Sequence, residues 1–142
     1  MPSNQSIPNS IVIPELSYPN VGRAVTWLCD AFAFVERLRI ADHRAQLTVA
    51  GGGAIVVTQA AAPIDGTVTN ATHSVMIRVA DANAHFAQAT KHGARVVQTP
   101  TDYPYGERQY TVVDPAGHSW TFTQSIADVA PSSWGGTLLS ND

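Results

Sequence analysis

Charged side chains are scarce in this sequence, and basic ones are the scarcest. They make up 13% of the 142 residues, the formal net charge is −3, and Lys91 is the single lysine beside seven arginines. Nucleic-acid binding needs a dense positive stripe that neutralises phosphates. The composition therefore argues against a nucleic-acid partner.

Long apolar runs and paired cysteines are missing as well. No apolar stretch reaches the roughly 20 residues that a membrane-spanning helix requires, so no membrane association is expected. Residues 1–5 lack the features of a secretory signal, and the expected location is the cytoplasm. Cys29 has no partner for a disulfide within the chain. It is interpreted as a core thiol rather than a nucleophile, because no base lies at a recognisable spacing.

The clearest pattern that is present lies in residues 103–124. The segment Asp114–Gly117 has Asp first, Pro second and Gly last, the chemistry of a tight turn. After the turn, Trp120 and Phe122 alternate with small polar residues. The sequence thus predicts a hairpin with these two rings on the core side and Ser119, Thr121 and Thr123 on a face that lines a cavity.

An earlier stretch repeats this hairpin. Residues 50–59 align without gaps on residues 115–124, and each stretch follows a strand and a helix, with Asn20 and Asp81 as the expected helix N-caps. A duplication of this length is too long for a solenoid repeat. The sequence predicts an α+β fold of two tandem βαβββ modules, whose curled mixed sheets surround a cavity.

The chain divides at changes in composition. We expect a flexible N-terminal arm, a single domain of two modules joined by a linker, and a tail in which Trp134 docks on the domain or on a partner. The boundaries are 1–9 for the arm, 10–125 for the domain (10–59, linker 60–72, 73–125) and 126–142 for the tail. Strands are expected at 11–17, 35–41, 45–49, 54–59, 73–79, 95–98, 110–113 and 119–123, with a loop at 99–104.

These features carry a family resemblance. Residues 114–120 (Asp-Pro-Ala-Gly-His-Ser-Trp), the duplicated module and residues 27–32 (Trp-Leu-Cys-Asp-Ala-Phe) resemble the vicinal oxygen chelate superfamily of glyoxalases, extradiol dioxygenases, and fosfomycin and bleomycin resistance proteins. Residues 105–108 and 129–135 resemble its PhnB-like, glyoxalase-like branch. The resemblance implies a small organic ligand and a homodimer, in which both chains often build each cavity.

The resemblance also implies where a metal would be held. Metal enzymes of the superfamily use His, Gln or Glu at cavity-facing positions of four strands, and these positions correspond here to Ile13, Val56, Ser74 and Thr121. None of the four is an ordinary ligand of a divalent metal. We therefore expect no metal and no other cofactor.

One of these positions depends on strand register. His73 lies next to Ser74, and a slip of one residue would exchange the two faces of the strand. The register that buries the apolar residues places His73 on the helix side. Ser74, Met76 and Arg78 then face the cavity.

Several polar side chains are candidates for ligand binding. Glu15 should face the cavity, either paired with an arginine or acting as a general base, and we expect it to share one groove with Arg78 and the aromatic loop at 103–105. Glu107 and Arg108 either pair with loop neighbours or touch ligand. The full candidate set is Ile13, Glu15, Val56, Ser74, Met76, Arg78, Tyr103, Tyr105, Glu107, Arg108 and Thr121.

Three functions are compatible with these residues. The favoured one is a metal-independent protein that sequesters a small organic molecule, an antibiotic or a metabolite, as bleomycin resistance proteins do. The second is a glyoxalase-type lyase or dioxygenase whose metal site lies elsewhere. The third is a metal-free enzyme with Glu15 as its base.

Overall fold

The computed structural model describes residues 2–65 and 72–140, and it confirms two tandem βαβββ modules. The expected linker lies partly outside the described residues. Module one contains β1 (Glu15–Tyr18), α1 (Val21–Phe32), β2 (Val35–Ile40), β3 (Arg44–Val49) and β4 (Gly53–Gln59). Module two contains β5 (Val75–Arg78), α2 (Ala82–Lys91), β6 (Arg95–Tyr103), β7 (Glu107–Val113) and β8 (Ser119–Ser125), and a short 3-10 helix (Pro131–Trp134) follows.

Each module forms its own four-stranded mixed sheet. The strand orders are β1-β4-β3-β2 and β5-β8-β7-β6, with the first pair parallel and the other two antiparallel. The registers match as well, because Glu15 lies opposite Val56 in the first sheet and Met76 lies opposite Thr121 in the second. The two copies are therefore equivalent down to individual residue pairs.

Both predicted helix N-caps are confirmed. The Asn20 side chain accepts a hydrogen bond from the backbone N–H of Arg23 at 2.9 Å, and that of Asp81 accepts from Ala84 at 3.0 Å. These bonds satisfy donors that have no partner within the first helical turn. No helix among residues 2–65 and 72–140 combines the length and hydrophobicity needed to span a membrane.

The two modules share one hydrophobic core. The Phe32 ring, at the end of α1, lies 5.3 Å from the Trp120 ring and 4.7 Å from the Phe122 ring between ring centroids. Trp120 and Phe122 are fully buried, as their alternation predicts. Truncating a buried ring of this kind costs about 3–5 kcal/mol, so the shared core holds the modules back to back.

A buried carboxylate adds a second link between the modules. Asp114 Oδ2 accepts hydrogen bonds from the Tyr18 hydroxyl at 2.6 Å and from Trp120 Nε1 at 3.0 Å, and Oδ1 accepts from the backbone N–H groups of Ala116 and His118. Burial and the adjacent carboxylate raise the pKa of Tyr18 well above its ordinary value, so its hydroxyl stays a donor. The turn of module two is thereby tied to the first strand of module one.

His118 makes a third link, which sequence patterns did not indicate. Its Nε2 lies 2.7 Å from the carbonyl oxygen of Ser17. Since a carbonyl only accepts, Nε2 carries the proton. The ring also packs against Tyr18, with 4.8 Å between centroids.

Several strand boundaries differ from the sequence-based expectations, and β7, for example, begins at Glu107 rather than at Tyr110. β1 begins at Glu15 rather than near Ile11, since Pro14 cannot donate to a ladder and Ile11 and Val12 are exposed. β6 runs through the expected loop at 99–104, because register shifts around Gln98 let the strand accommodate a proline.

The start of β5 corrects the expectation for His73. β5 begins at Val75, so His73 and Ser74 precede the strand and both are exposed. His73 bonds the Thr72 hydroxyl through Nδ1 at 3.1 Å instead of packing against the helices. The predicted register itself is confirmed within the strand, where Val75 and Ile77 pack on the core.

Candidate functional site

Each sheet has a helix side, which packs on the shared core, and an open face on its other side. On the second sheet the open face carries hydroxyl and amide side chains in cross-strand pairs. The hydroxyls of Thr111 and Thr121 lie 2.8 Å apart, and Gln109 Nε2 donates to the Thr123 hydroxyl at 3.2 Å. The residues between them, such as Phe122, face the core. The open face is therefore a polar surface on an apolar sheet.

A carboxylate and a phenol extend these pairs into one chain. The Tyr105 hydroxyl donates to Gln109 Oε1 at 3.0 Å, and the Thr123 hydroxyl donates to Glu107 Oε1 at 2.6 Å. With the Gln109–Thr123 bond, four side chains form a continuous path with every donor directed toward Glu107. The carboxylate is thus the final acceptor of the network.

Glu107 is held in its charged form. Partial burial alone would raise the pKa of its carboxyl, but hydrogen bonds from Ser125 and Thr123 and the nearby charge of Arg78 hold that pKa below its ordinary value. Arg78 Nη1 lies 3.8 Å from Glu107 Oε1, and Arg78 also donates to the Ser125 hydroxyl. The open face therefore presents both a negative and a positive charge.

The edge strand β5 leaves this face accessible. Met76 is 59% exposed, and the Arg78 side chain is 69% exposed. We call the open face formed by Met76, Arg78, Glu107, Gln109, Thr111, Thr121 and Thr123 the second-sheet groove. Among the described residues, no strand pairs with the outer edge of β5.

Aromatic rings close one end of the second-sheet groove. Tyr103 and Tyr105 are stacked with ring centroids 5.4 Å apart, and Trp134 of the tail packs on Tyr105 at 5.3 Å. Gly106 adopts a positive φ of 85°, and a Cβ there would lie 2.3 Å from the Ala127 carbonyl oxygen. Only glycine fits this close approach, which fixes the tail against the domain.

An apolar cavity of about 830 Å³ adjoins β5 on the side of module one. Met76 and Arg78 line it too, so the cavity and the second-sheet groove share strand β5. The remaining lining residues are Val12, Pro14, Phe32, Ala33, Phe34, Val49, Ala50, Gly51, Gly53, Ala54, Ile55, Val75, Ile77, Val79, Ala80 and His85.

His85 is the polar side chain of this cavity that lies closest to the core, and it is neutral. Its Nε2 donates to the Phe32 carbonyl at 2.9 Å, and its Nδ1 accepts from the Tyr110 hydroxyl. Burial lowers the pKa of His85 and raises that of Tyr110, so neither group carries charge at neutral pH. The cavity therefore suits an apolar part of a ligand.

Glu15 and Arg78 have different ion-pair partners within one chain, and the groove expected to hold both stays a prediction. The two residues lie on different sheets, and Glu15 Oε1 accepts a hydrogen bond from Arg44 Nη2 at 2.7 Å. This is the arginine pair that sequence reasoning had kept as an alternative to a general base.

Arg108 likewise lies outside the second-sheet groove. It alternates with Glu107 along β7 and so faces the helix side, where its Nε lies 2.7 Å from Asp102 Oδ1. Of the remaining candidates, Met76, Arg78, Glu107 and Thr121 lie in the groove, Tyr103 and Tyr105 at its end, and Ile13, Val56 and Ser74 outside it.

Sequence reasoning did not include Gln109, Thr111, Thr123 and His85 among the ligand-binding candidates, although the alternation after the turn placed Thr123 on the cavity face. The period-two alternation of β7 and β8 was the available signal for the first three. For His85 there was none, because its role depends on contact with the end of α1.

The positions expected to hold a metal do not fit one. Ile13 and Ser74 precede their strands, Val56 is apolar, and the Thr121 hydroxyl is bonded to Thr111. Across residues 2–65 and 72–140, no three His, Cys, Asp or Glu side chains are grouped as a metal site requires. The donor chemistry, hydroxyl and alkyl, differs from the imidazoles and carboxylates of metal centres.

The fold and its open groove define a class of protein known from many relatives. The chain belongs to the Glyoxalase/Bleomycin resistance protein/Dioxygenase superfamily, whose family model matches residues 10–122. The resemblance in the sequence is thereby confirmed at the level of the superfamily, while the PhnB-like branch stays a prediction.

Solved structures show the same fold. TioX from Micromonospora sp. ML1 is 35% identical, with 83% of this chain and 100% of that chain covered and a TM-score of 0.68. A glyoxalase/bleomycin resistance protein/dioxygenase family enzyme from Burkholderia phytofirmans PsJN is 13% identical, with 80% and 97% covered and a TM-score of 0.64, and it shows the fold alone.

Curated relatives match a shorter segment. Uncharacterized protein Mb0911c of Mycobacterium bovis is 36% identical over 56 residues, which cover 39% of this chain and 37% of that protein. The match thus spans little more than a third of the relative's length.

Proposed function

We propose that the protein is a metal-independent binding protein that sequesters a small organic molecule, an antibiotic or a metabolite, in the cytoplasm. The observation that carries the proposal is the hydrogen-bonded chain from Tyr105 to Glu107, which lies on the same open face as the position where relatives hold a metal ligand. A hydroxyl, Thr121, stands at that position.

The groove and the adjoining cavity indicate the chemistry of the ligand. Glu107 is ionised and Arg78 lies beside it, so a ligand with a cationic or zwitterionic group would find complementary charges. Met76 and the apolar cavity offer a surface for its hydrocarbon part. An amphipathic molecule of a few hundred daltons fits both.

We further propose that the working form is a homodimer. The superfamily resemblance implies it. The outer edges of β1 and β5, which no strand within residues 2–65 and 72–140 pairs with, are compatible with it. A second copy that placed its first sheet beside the second-sheet groove would bring a Glu15 toward Arg78. Sedimentation should then give about twice the 15.1 kDa chain mass, and a clean monomer would contradict this arrangement.

The alternatives have less support. A glyoxalase or dioxygenase activity needs a metal, and the four corresponding positions lack suitable donors. A metal-free enzyme with Glu15 as its base would need that carboxylate free, yet it is paired with Arg44.

The experiment is equilibrium dialysis of the full-length protein against a panel of cationic and zwitterionic antibiotics, starting with bleomycin, with mass-spectrometric readout. Wild type should retain at least one compound, Glu107→Gln should lose it, and Glu36→Gln should keep it. Glu36 is the matched control, because it is also a carboxylate paired with an arginine, Arg39, but on module one. Equal retention by both variants would contradict the assignment of the site.

A further inference from the structure

On the first sheet, the face that points away from the helices is buried. The strand register of this sheet nevertheless equals that of the second sheet. Gln46 lies opposite Val56, just as Thr111 lies opposite Thr121. Val56 is only 2% exposed and Gln46 only 4%. Val56 is not part of the hydrophobic cluster on the helix side. Another segment of the chain must therefore bury this face.

That segment is the N-terminal arm, which the sequence predicts to be loose. Arg37 Nη2 donates to the carbonyl oxygen of Gln5 at 2.8 Å, and Gln46 Nε2 donates to that of Ser6 at 2.9 Å. Arg37 Nη1 also donates to Gln46 Oε1 at 2.5 Å, which orients the amide toward the arm. Pro8 is buried. The arm is thus bound to the sheet.

The chemistry of this contact is general rather than specific to the arm. Both acceptors are main-chain carbonyls of neighbouring residues, and residues 2–7 keep their side chains exposed. The arm contributes one buried ring, that of Pro8. A segment held by few apolar contacts opens at a low free energy. Any extended chain with two successive carbonyls and an apolar ring offers the same groups to Arg37 and Gln46.

We propose that residues 2–9 are a displaceable strap over a second binding site, which takes an extended, peptide-like ligand through two neighbouring carbonyl oxygens. Arg37 and Gln46 are the donors of this site, and Val56 forms its floor. The strap occupies the site in the free protein and competes with any ligand for it. The inference is argued from contacts of the first sheet alone, and its test does not use the ligand proposed for the second-sheet groove.

The test expels the strap from the full-length chain without touching the donors. Pro8→Asp places a charge at the buried position, whereas Pro2→Asp places the same charge at an exposed position of the same arm and serves as the control. The probe is a fluorescein-labelled synthetic peptide with the sequence of residues 2–10, followed by fluorescence anisotropy. Hydrogen exchange of residues 2–10 reports whether the arm has left the sheet, and circular dichroism reports the fold.

We expect the Pro8→Asp chain to exchange faster in the arm and to bind the peptide at least about tenfold more tightly than wild type or the Pro2→Asp control. Adding Arg37→Met to Pro8→Asp should abolish that binding. The proposal is overturned if the arm of Pro8→Asp stays protected, if a released arm leaves a face that does not bind the peptide, or if binding persists without Arg37.

Discussion

The two modules are copies in fold and register, yet they use their open faces differently. The first sheet is closed by the N-terminal arm, whose carbonyls bind Arg37 and Gln46. The second sheet leaves Met76 and Arg78 exposed beside a network that ends at Glu107. Duplication has preserved the helix side of each sheet, and the differences are concentrated on the side that can meet a ligand.

The turns differ in the same way. Asp114 occupies the start of the module-two turn, whereas the position aligned with it in module one is Val49. The glycines that permit the two turns, Gly52 and Gly117, both have positive φ. The backbone requirement is therefore shared, and the carboxylate link between modules belongs to the second copy alone.

The largest expected effect comes from removing this link. Asp114→Ala should destabilise the protein by about 3–5 kcal/mol, because it leaves the Tyr18 hydroxyl and Trp120 Nε1 buried without their acceptor. Urea unfolding measures the change. Asp128→Ala, at an exposed position of the tail, is the control. If Asp114→Ala lowers the free energy of unfolding by no more than the control does, the link between the modules is refuted.

A smaller effect follows from making the second sheet resemble the first. Thr121→Val introduces the residue found at the equivalent position 56 and removes the bond to Thr111. We expect a stability change of no more than about 1.5 kcal/mol, since a single partly buried hydrogen bond is lost. Loss of the retained antibiotic in dialysis should accompany it. If retention is unchanged, the hydroxyl pair is not part of the ligand site.

Glu107 contributes to stability in a pH-dependent way, and this effect is expected to be smaller still. Because its folded-state pKa is lowered, the stabilisation is present above the ordinary carboxyl pKa of about 4.3 and is lost as the pH falls through the folded-state value. The difference in melting temperature between wild type and Glu107→Gln should therefore be seen near neutral pH and shrink in acid. A difference that grows toward low pH would contradict the assigned direction.

The smallest effect is expected in module one. Glu15→Gln weakens one exposed ion pair with Arg44, so stability should change by less than about 1 kcal/mol. If a second copy brings Glu15 to the groove, ligand binding should nevertheless weaken by about 1–3 kcal/mol, the scale of a lost charged hydrogen bond. Calorimetry with the retained compound separates the two effects. Unchanged binding would remove Glu15 from the site.

Much of the fold was predictable from local patterns. The structure confirms three features that depend on local preference: the helix caps at Asn20 and Asp81, the turn at Asp114 and the alternation around Trp120. The alternation of side chains along each strand also identified which face of each sheet points away from the helices. Boundaries failed where proline or a bulge intervened, as in β6, because such irregularities are set by pairing rather than by composition.

The candidate site was predictable only in part. The path from Tyr105 through Gln109 and Thr123 to Glu107 depends on which residues of β7 and β8 face each other, and a sequence does not state that register. The contact between the arm and the first sheet could not be predicted for a different reason. The arm binds through the backbone carbonyls of Gln5 and Ser6. Because every residue has a backbone carbonyl, a sequence pattern does not indicate which ones accept a hydrogen bond.

The central claim is that the second-sheet groove binds a small molecule without a metal. Its most direct test is calorimetric titration of full-length protein with the compound retained in dialysis, with and without chelator. The account predicts equal affinity in both titrations and loss of binding in Glu107→Gln. Binding that disappears with chelator and returns with a divalent metal would contradict it.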